Sequence, residues 1–311
     1  MSEYHQPVLV NEVITLLAPK EGGVFLDATL GGGGHAAELL QRIGAAGTLV
    51  GIDRDPQAIQ FAGKRLLAMD GRLVLIEGNF ADVKALLEQR GISELDGALF
   101  DFGVSSHQLD SPRGFSFQRD EPLDMRMGAG EQSAADIVNR YPETELVRVI
   151  RDYGEERYAR RIARAILKRR GQKPISTTKE LADVIVSAIP GGGARQEIHP
   201  ATRTFQGIRI ETNNELAAIE KAIPDAVDLL KRNGVIAAIS FHSLEDRLVK
   251  TIFRKLSGRC ECDPRLPVCA CGAHKTIKML TAKPVMAGAE EVAANPRSRS
   301  AKLRAALKIS E

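Results

Sequence analysis

The sequence predicts an α/β protein whose mostly parallel sheet is interrupted by an inserted all-helical domain. Short apolar runs alternate with amphipathic stretches in the first part of the chain, as parallel strands alternate with crossover helices. This alternation stops near residue 128 and returns near residue 206. We therefore predict a discontinuous α/β domain, residues 1–128 and 206–311, and a helical insert, residues 129–205.

Four continuous apolar runs in the first part of the chain predict strands that are buried on both faces. Each run ends on an acidic residue. The runs are Val24–Asp27, Thr48–Asp53, 73–77 (ending on Glu77) and 97–101 (ending on Asp101). Ligands of open α/β sheets bind at the carboxyl ends of the strands, so we expect these acids to face one crevice.

Two helices with recognisable boundaries are predicted inside the insert. The first, residues 155–170, has an apolar stripe at Tyr158, Ile162 and Ile166 and arginines over the rest of its surface. The second follows the segment 176–180, where Ser or Thr stands three residues ahead of Glu and predicts a capping box.

The α/β alternation resumes beyond the insert. Residues 215–232 predict a helix, in which Pro224 marks a kink or a division into two segments. Residues 235–240 predict a fifth buried strand, Ser243–Leu256 predicts a helix, and 299–309 predicts a final strand.

A glycine-rich turn, residues 31–34, joins the first strand to the next helix. Glycine lets the backbone pass close to a ligand, and the free N–H groups of the helix point toward that ligand. The pattern Gly31-x-Gly33-x-x-Ala36 matches a dinucleotide fingerprint, and Asp53 ends the second strand, where an acid accepts hydrogen bonds from ribose hydroxyls. These features fit a nicotinamide cofactor and S-adenosylmethionine equally, and an ordinary glycine-rich turn is the alternative without a ligand.

Other strand ends favour S-adenosylmethionine. Asp27 lies just ahead of the glycines, where methyltransferases place an acid near the amino-acid end of the cofactor. Phe80 follows the third strand, where an aromatic ring can stack on adenine. Asp101 ends the fourth strand, beside the expected position of the reactive methyl group. Any one of these acids alone is an ordinary solvated strand end, whereas together they predict a Rossmann-like S-adenosylmethionine methyltransferase sheet. A dinucleotide would need a second βαβ half.

Several longer segments resemble one family of RNA-modifying enzymes. They are DFGVSSHQL from residue 101, RGFSF from 113, PLDMRM from 122, YGEER from 153, HPATRTFQ from 199, SFHSLEDR from 240 and NPRSRS from 295. In these segments the chain is similar to the ribosomal RNA small subunit methyltransferase H family, and the resemblance runs from near residue 5 to the C-terminus. Members of that family methylate the N4 amino group of a cytidine in 16S rRNA.

The resemblance implies a methyltransferase domain with an inserted substrate-recognition domain. It also implies in-line methyl transfer to a flipped base in the small ribosomal subunit or a late precursor. The residues that it implies as contacts of S-adenosylmethionine are Gly33, Gly34, His35, Asp53, Phe80, Asp101 and Gln108.

Asp101 is the candidate catalytic residue. The cytosine amino group is a poor nucleophile because its lone pair is delocalised into the ring. A carboxylate that accepts its N–H hydrogens localises that lone pair as the new bond forms. The same carboxylate can instead hold the methionine end of the cofactor. The Pro-Pro-aromatic sequence that follows this acid in many amino methyltransferases is absent from the chain, so the residue that stacks on the base stays open among Phe115, Phe117 and Phe241.

Basic segments are the candidate RNA contacts. Residues 157–173 contain many Lys and Arg residues and no acid, and Arg297, Arg299, Lys302 and Arg304 form a second basic segment. Such runs are commonly solvated faces, and the net charge of +3 decides nothing by itself. Beside a methyltransferase crevice, RNA binding is the better interpretation.

The four cysteines, Cys260, Cys262, Cys269 and Cys271, form two Cys-x-Cys pairs. Four thiolates can complete a tetrahedral zinc site, but the usual pair is Cys-x-x-Cys. We expect free or locally paired cysteines and keep structural zinc as the lesser alternative.

The composition excludes a disordered or membrane-embedded protein, with 43% hydrophobic and 27% charged residues and no run near the ~20 apolar residues of a membrane span. The N-terminus lacks a signal-peptide pattern, so we expect a cytoplasmic protein. The sequence does not decide whether the protein is a monomer or a homodimer. Two rival functions also remain, a nicotinamide-dependent oxidoreductase and a non-catalytic RNA-binding or assembly factor.

Overall fold

The computed structural model describes residues 7–105, 108–109, 111–128, 130, 132–193, 198–260, 262 and 274–310. The chain forms two compact units. The sheet unit runs to Gly103 and resumes at Leu216, and the helical unit is Val104–Glu215. The predicted insert, residues 129–205, lies inside the helical unit.

The sheet unit is built on eight strands. In chain order they are β1 Val24–Asp27, β2 Thr48–Asp53, β3 Arg72–Glu77, β4 Leu95–Asp101, β5 Leu230–Ser240, β6 Ile277–Met279, β7 Val285–Met286 and β8 Lys302–Lys308. Their order in the sheet is β3-β2-β1-β4-β5-β8-β6, and β7 also pairs with β8. Strands β1 to β5 are parallel, whereas β8 is antiparallel to β5, β6 and β7. Each strand predicted from the sequence is present.

Twelve α-helices are described here, numbered along the chain. They are α1 Val10–Leu17, α2 Gly34–Ile43, α3 Pro56–Leu66, α4 Val83–Glu88, α5 Ala134–Arg140, α6 Glu143–Arg148, α7 Ala159–Arg170, α8 Thr178–Ala188, α9 Ala201–Asn213, α10 Glu215–Leu229, α11 Ser243–Leu256 and α12 Ala289–Ala294. None of the helices in the described part of the chain combines the length and the apolarity needed to cross a membrane.

Both faces of the sheet are covered, which explains why its strands are continuous apolar runs. Successive side chains of a strand point to opposite faces. Accordingly, Phe25 and Leu99 belong to one apolar cluster with α1 and α2, whereas Leu26 and Phe100 belong to a second with α10 and α11. The sheet therefore holds the carboxyl ends of its parallel strands on a rigid edge.

The helical unit has its own apolar core, formed by residues of α5 to α9. The first half of the capping box predicted at the start of α8 is confirmed: Thr177 Oγ1 accepts the backbone N–H of Glu180 at 3.3 Å. The Glu180 carboxylate accepts the backbone N–H of Ser176, one residue before the N-cap, at 2.8 Å.

The helix predicted at 155–170 begins only at Ala159, so the predicted start is wrong. Glu155 has a φ of 49°, in the left-handed region, which is incompatible with a continuing right-handed helix. The Glu156 carboxylate accepts the backbone N–H of Tyr158 at 2.8 Å and so occupies the turn before the helix.

The loop at residues 111–127 belongs with the helical unit because its apolar side chains enter that unit's core. Phe115, Leu123 and Met125 are buried there. The Asn213 side chain at the end of α9 donates to the Met125 carbonyl at 2.8 Å and accepts the Met127 N–H at 2.9 Å. These contacts place the loop in the helical unit, outside the residues predicted as the insert.

The helix predicted at 215–232 ends at Leu229, three residues early, because Leu230 already pairs with Leu95 of β4. Pro224 lies inside one continuous helix. Asn233, with a φ of 69°, lies at the irregularity where the pairing of β4 with β5 shifts register.

Candidate functional site

Acidic side chains lie together at one edge of the sheet. The register pairs Asp27 of β1 with Gly51 of β2 and Leu99 of β4, and Asp53 of β2 with Glu77 of β3. Because these strands are parallel, their carboxyl ends meet at the same edge. The strand-end acids therefore share one edge of the sheet unit, and the crevice between them stays a prediction.

The glycine turn between β1 and α2 needs glycine for its backbone angles at Gly31 and Gly33 and for space at Gly33 and Gly34. Gly31 and Gly33 have φ angles of 49° and 72°, in the left-handed region that glycine adopts without strain. A Cβ at Gly33 would lie 3.2 Å from that of Ala62, and one at Gly34 would lie 2.7 Å from Cγ of Pro7. The turn thus requires glycine, and its bare backbone suits close approach by a ligand.

Asp53 connects this turn to the second strand. Its Oδ2 accepts the backbone N–H of Gly31 at 2.8 Å, and its Oδ1 accepts that of Asp55 at 2.8 Å. Burial raises the pKa of Asp53 to about 6, although both N–H groups lower it. The carboxylate is therefore mostly ionised at neutral pH and keeps lone pairs for further donors.

Asp27 is the most deeply buried of the strand-end acids, with 1% of its surface exposed. Its Oδ1 accepts the backbone N–H of Thr29 at 3.2 Å. Burial raises the pKa of Asp27 to about 7, the Thr29 hydrogen bond lowers it, and repulsion by Asp53 raises it further. A cation bound beside Asp27 would relieve that repulsion, so the residue fits a cationic ligand.

Asp101 ends β4 next to a histidine. Its Oδ2 lies 3.6 Å from Nδ1 of His35, and 13% of its side chain is exposed. Within the described residues, its buried Oδ1 has no hydrogen-bond partner. Burial raises the pKa of Asp101 well above its usual value, and the charges of Asp27 and Glu245 raise it further. This carboxyl is thus near-buried, hard to ionise and open to an incoming donor on Oδ1.

His35 is held by the segment that precedes α1. Its side chain is 5% exposed, and its Nε2 lies 2.8 Å from the carbonyl oxygen of Val8. A carbonyl can only accept, so Nε2 carries a proton and Nδ1 is the atom that faces Asp101.

Phe80 begins a short helical turn after β3, and its side chain is partly buried. The ring packs edge-on against Phe100, with centroids 5.9 Å apart, and at a tilt against Phe102, 5.8 Å away. These contacts fix the ring at the same edge of the sheet as the acids. A fixed and partly exposed ring is suited to stacking on a base.

The segment after β5 adds residues to this edge that the sequence did not single out. Glu245 is fully buried and its Oε2 accepts the backbone N–H groups of Phe241 and His242, at 2.8 and 3.3 Å. It therefore caps α11 and holds the segment that carries Phe241. A Cβ at Gly103, whose φ is 103°, would lie 3.3 Å from Cδ2 of Phe241.

The three aromatic candidates for base stacking differ in their surroundings. Phe115 is 9% exposed within the core of the helical unit. Phe117 stacks on His199, with centroids 4.4 Å apart, and meets Phe205 edge-on at 5.2 Å. Phe241 belongs to the sheet unit and lies beside Gly103, two residues after Asp101.

Gln108 lies in the helical unit and is buried there. Its Oε1 accepts the backbone N–H of Ser105 at 3.0 Å, and its own N–H donates to Ser105 Oγ at 3.2 Å. The other predicted cofactor residues, Gly33, Gly34, His35, Asp53, Phe80 and Asp101, all belong to the sheet unit.

Cys260 is exposed and Cys262 is partly exposed, and the backbone N–H of Cys262 lies 3.4 Å from Sγ of Cys260. Cys269 and Cys271 lie outside the described residues. Free or locally paired cysteines therefore stay the prediction for these four positions, with structural zinc as the lesser alternative.

The two basic segments differ in what their side chains contact. In α7, Arg161, Arg164 and Lys168 are exposed, and Arg164 pairs with Glu143 at 3.0 Å. Arg304 is only 4% exposed and pairs with Asp246 at 2.7 Å, so its predicted role as an RNA contact is wrong. It lies in β8, and its partner Asp246 belongs to α11.

The chain matches the pattern of the MraW methylase family over residues 2–309. Ribosomal RNA small subunit methyltransferase H of Geotalea uraniireducens (strain Rf4) is 53% identical over 312 residues, which cover 99% of this chain and 100% of that protein. The protein of the same name from Heliobacterium modesticaldum (strain ATCC 51547 / Ice1) is 48% identical over 309 residues, 98% of this chain and 99% of that one. The solved structure of an rRNA methylase from Streptococcus thermophilus aligns with 97% of this chain and 94% of its own, at 12% identity and a TM-score of 0.42.

Proposed function

The chain belongs to the MraW methylase family, and from that premise we propose that it methylates the N4 amino group of a cytidine in 16S rRNA. It is an S-adenosylmethionine-dependent methyltransferase. The observation that carries the proposal is the match to small-subunit rRNA methyltransferases over nearly the whole chain. We expect the substrate to be the small subunit or a late precursor, and the reaction to occur in the cytoplasm.

The residues at the edge of the sheet fit the cofactor. The glycine turn leaves a cradle that a Cβ would fill, and Asp27 is a buried acid beside a second acid. We assign Asp53 to the ribose hydroxyls, Asp27 to the cationic amino-acid end and Phe80 to the adenine. Gln108, in the helical unit, stays a prediction from the family resemblance.

The oxidoreductase alternative fails on the topology of the sheet. A dinucleotide fold continues with a second parallel βαβ half after the first. Here β8 follows β5 in the sheet and runs antiparallel to it. The match to the MraW methylase family excludes the same alternative independently.

Asp101 is the residue that we assign to the acceptor amine. When bound, S-adenosylmethionine supplies an electrophilic methyl group for an in-line displacement. Asp101 Oδ1 is buried and lacks a partner in the described residues, so it can accept one N–H of the amino group. That hydrogen bond aims the nitrogen lone pair and compensates the cost of burying Oδ1.

Phe241 is the aromatic residue that we assign to the flipped base. Phe115 is enclosed in the helical core, and Phe117 already stacks on His199 and meets Phe205 edge-on, so both rings are engaged in contacts of the helical unit. Phe241 lies next to Gly103 at the end of β4. A planar ring at that position can stack on a base that has left its helix.

The helical insert, residues 129–205, is the substrate-recognition domain of this proposal. Arg161, Arg164 and Lys168 lie at helical positions i, i+3 and i+7 of α7, so they form one exposed cationic stripe. Regularly spaced cations of this kind bind phosphates without reading sequence. We therefore propose that the stripe contacts the rRNA backbone.

The activity is tested by incubating the protein with radiolabelled S-adenosylmethionine and small ribosomal subunits from cells that lack the enzyme. The label should enter 16S rRNA at one cytidine, which nuclease digestion and mass spectrometry identify. Asp101→Ala should abolish transfer, whereas the strand-end control Glu77→Gln should retain it. Label that stays out of RNA despite normal cofactor binding would leave only the non-catalytic RNA-binding alternative.

The RNA-binding stripe is tested separately by reversing its charge. Arg161→Glu combined with Lys168→Glu should weaken binding to the subunit and flatten its dependence on salt. The matched control is Lys64→Glu with Lys84→Glu, on exposed helices of the sheet unit. Equal loss of binding in both pairs would mean that overall charge, and not this stripe, attracts the RNA.

A further inference from the structure

We propose that His35 and Asp101 keep one titratable proton between them, and that His35 takes this proton when Asp101 ionises. His35 is then a positioning residue that acts on the reaction through Asp101. The inference rests on the proposed function only in naming S-adenosylmethionine as the cation that triggers the exchange. It concerns the protein's own two side chains and adds a role for His35 beyond lining the glycine turn.

The orientation of the imidazole directs Nδ1 toward Asp101. Nε2 donates to the Val8 carbonyl at 2.8 Å, so the neutral ring has its lone pair on Nδ1. Nδ1 lies 3.6 Å from Asp101 Oδ2, within ion-pair distance and slightly beyond hydrogen-bond length. A small rotation of either side chain closes that gap. A proton gained by His35 therefore lands on the atom that faces Asp101.

The segment before α1 prevents the imidazole from turning away. Pro7 packs on Gly34, where an added Cβ would lie 2.7 Å from Pro7 Cγ. The backbone N–H of Leu9 donates to Glu291 Oε1 at 2.8 Å. Val8, between these two contacts, is thus held in place and keeps its carbonyl on His35 Nε2.

The electrostatic surroundings favour the neutral form of the pair until a cation binds. Asp27 of β1 and Glu245 of α11 face Asp101, and together with burial they disfavour its ionisation. His35 is the second residue of α2, and the positive end of that helix disfavours an imidazolium. Without a bound cation, the neutral acid and neutral imidazole are favoured. A cation beside the carboxylate reverses the balance.

The exchange matters because only an ionised Asp101 accepts two hydrogen bonds as a full carboxylate. Transfer of its proton to His35 leaves the net charge of the pair at zero in both forms. The protein therefore obtains a carboxylate in a nearly dry site without releasing a proton to solvent. This avoids leaving an uncompensated buried charge.

The experiment counts protons released when S-adenosylmethionine binds. Calorimetric titrations in buffers of different ionisation enthalpy give this number for the wild type and for His35→Gln. They are run at about pH 8, above the pKa of Asp27 (about 7) and of Asp53 (about 6), so that those acids contribute little. Titratable groups on the cofactor contribute equally to both proteins and cancel in the difference.

We expect His35→Gln to release more protons than the wild type, by up to about one per cofactor bound. Asp101→Asn should remove this excess in the double variant. Equal proton release by the wild type and His35→Gln, with both binding the cofactor, would overturn the proposal. No RNA is present, so a failure here is distinct from a failure of rRNA methylation.

A second measurement follows the protonation of His35 directly and needs no variant of His35. Nitrogen NMR of ¹⁵N-histidine-labelled protein should show the His35 Nδ1 shift moving toward that of an imidazolium when S-adenosylmethionine binds. In Asp101→Asn the shift should keep the value of a neutral Nε2–H imidazole with the cofactor bound. Identical His35 shifts in the two cofactor-bound proteins would contradict a shared proton.

Discussion

Oδ2 of Asp53 lies 2.8 Å from the backbone nitrogen of Gly31, so the acid at the end of β2 and the glycine turn after β1 are held as one piece. The other oxygen of Asp53 binds the N–H of Asp55, which caps α3 through Gln57 at 3.0 Å. A carboxylate has about four lone-pair positions, so two backbone donors still leave room for ribose hydroxyls. Asp53 thus shapes the site and binds in it.

Replacing Asp53 with Asn should weaken S-adenosylmethionine binding by roughly 10- to 100-fold, since hydrogen bonds to a charged group contribute about 1.5–3 kcal/mol. An amide retains one acceptor and turns its NH₂ toward a backbone N–H. The dissociation constant is measured by calorimetry. The matched control is Glu77→Gln at the neighbouring, exposed strand end. A comparable loss of affinity in that control would contradict a specific contact between Asp53 and the cofactor.

Asp27→Asn should stabilise the cofactor-free protein above about pH 7. The pKa of Asp27 is raised from 3.8 to about 7, so between these values the folded protein binds more protons than the unfolded chain. Stability therefore falls as pH rises through this window, by an amount on the order of 4 kcal/mol for a shift of this size. Asn keeps the Oδ1 acceptor for Thr29 and cannot ionise.

Denaturant unfolding at about pH 5 and pH 8 measures this effect. The wild type should lose stability between the two pH values, and Asp27→Asn should lose much less. Glu77→Gln serves again as the control, because replacing an exposed carboxylate should change the dependence of stability on pH very little. A wild type that gains stability over this range would contradict the assignment.

Cofactor binding should weaken as pH falls from about 8 to about 5. A bound cation favours ionised Asp27 and Asp53, whose pKa values are about 7 and about 6, and protonation competes with it. Calorimetric titrations across this range give the dissociation constant. In Asp27→Asn the dissociation constant should no longer change steeply near pH 7. If its dependence on pH were unchanged in this variant, Asp27 would not face the cation.

Phe241→Leu should slow methyl transfer by roughly 5- to 150-fold while cofactor affinity stays constant, since stacking on a base contributes about 1–3 kcal/mol. Single-turnover rates with small subunits measure the first quantity and calorimetry the second. Phe117→Leu is the comparison: it should destabilise the helical unit, whose Phe117 stacks on His199. If Phe117→Leu alone slowed transfer in fully folded protein, the assignment of the base platform would be wrong.

Gly207→Ala should destabilise the helical unit by about 1–3 kcal/mol, a typical cost of overpacking. A Cβ there would lie 2.7 Å from the Val149 carbonyl oxygen and 2.8 Å from the Gly154 nitrogen, both backbone atoms. Gly171→Ala is the matched control, with its nearest atom at 3.4 Å and a φ of −66°. Thermal unfolding compares the two; equal stability would show that α9 can shift away.

Local signals were enough to predict the sheet and its glycine turn. A strand covered on both faces is apolar throughout, and turn positions with positive φ angles favour glycine. Val24–Asp27 and Gly33 can therefore be recognised from the sequence alone. The acids at the strand ends follow from the same logic, because parallel strands share one carboxyl edge.

Long-range contacts account for what the sequence did not predict. Glu245 caps α11 with His242, and His is not among the usual N-cap residues, so the capping box went unrecognised. Arg304 appears in a basic segment, yet β8 lies inside the sheet and Asp246 neutralises the charge. The pairing of His35 with Asp101 depends on strands and helices far apart in sequence.

The position of β8 bears on how the protein is made. This strand lies between β5 and β6 in the sheet, but it is synthesised after both of them and after β7. While the chain emerges, the backbone N–H and C=O groups of β5 on that side have no ladder to join, and such an open edge can pair with other nascent chains. Aggregation during translation, more than the stability of the finished molecule, is therefore the hazard that this strand order creates.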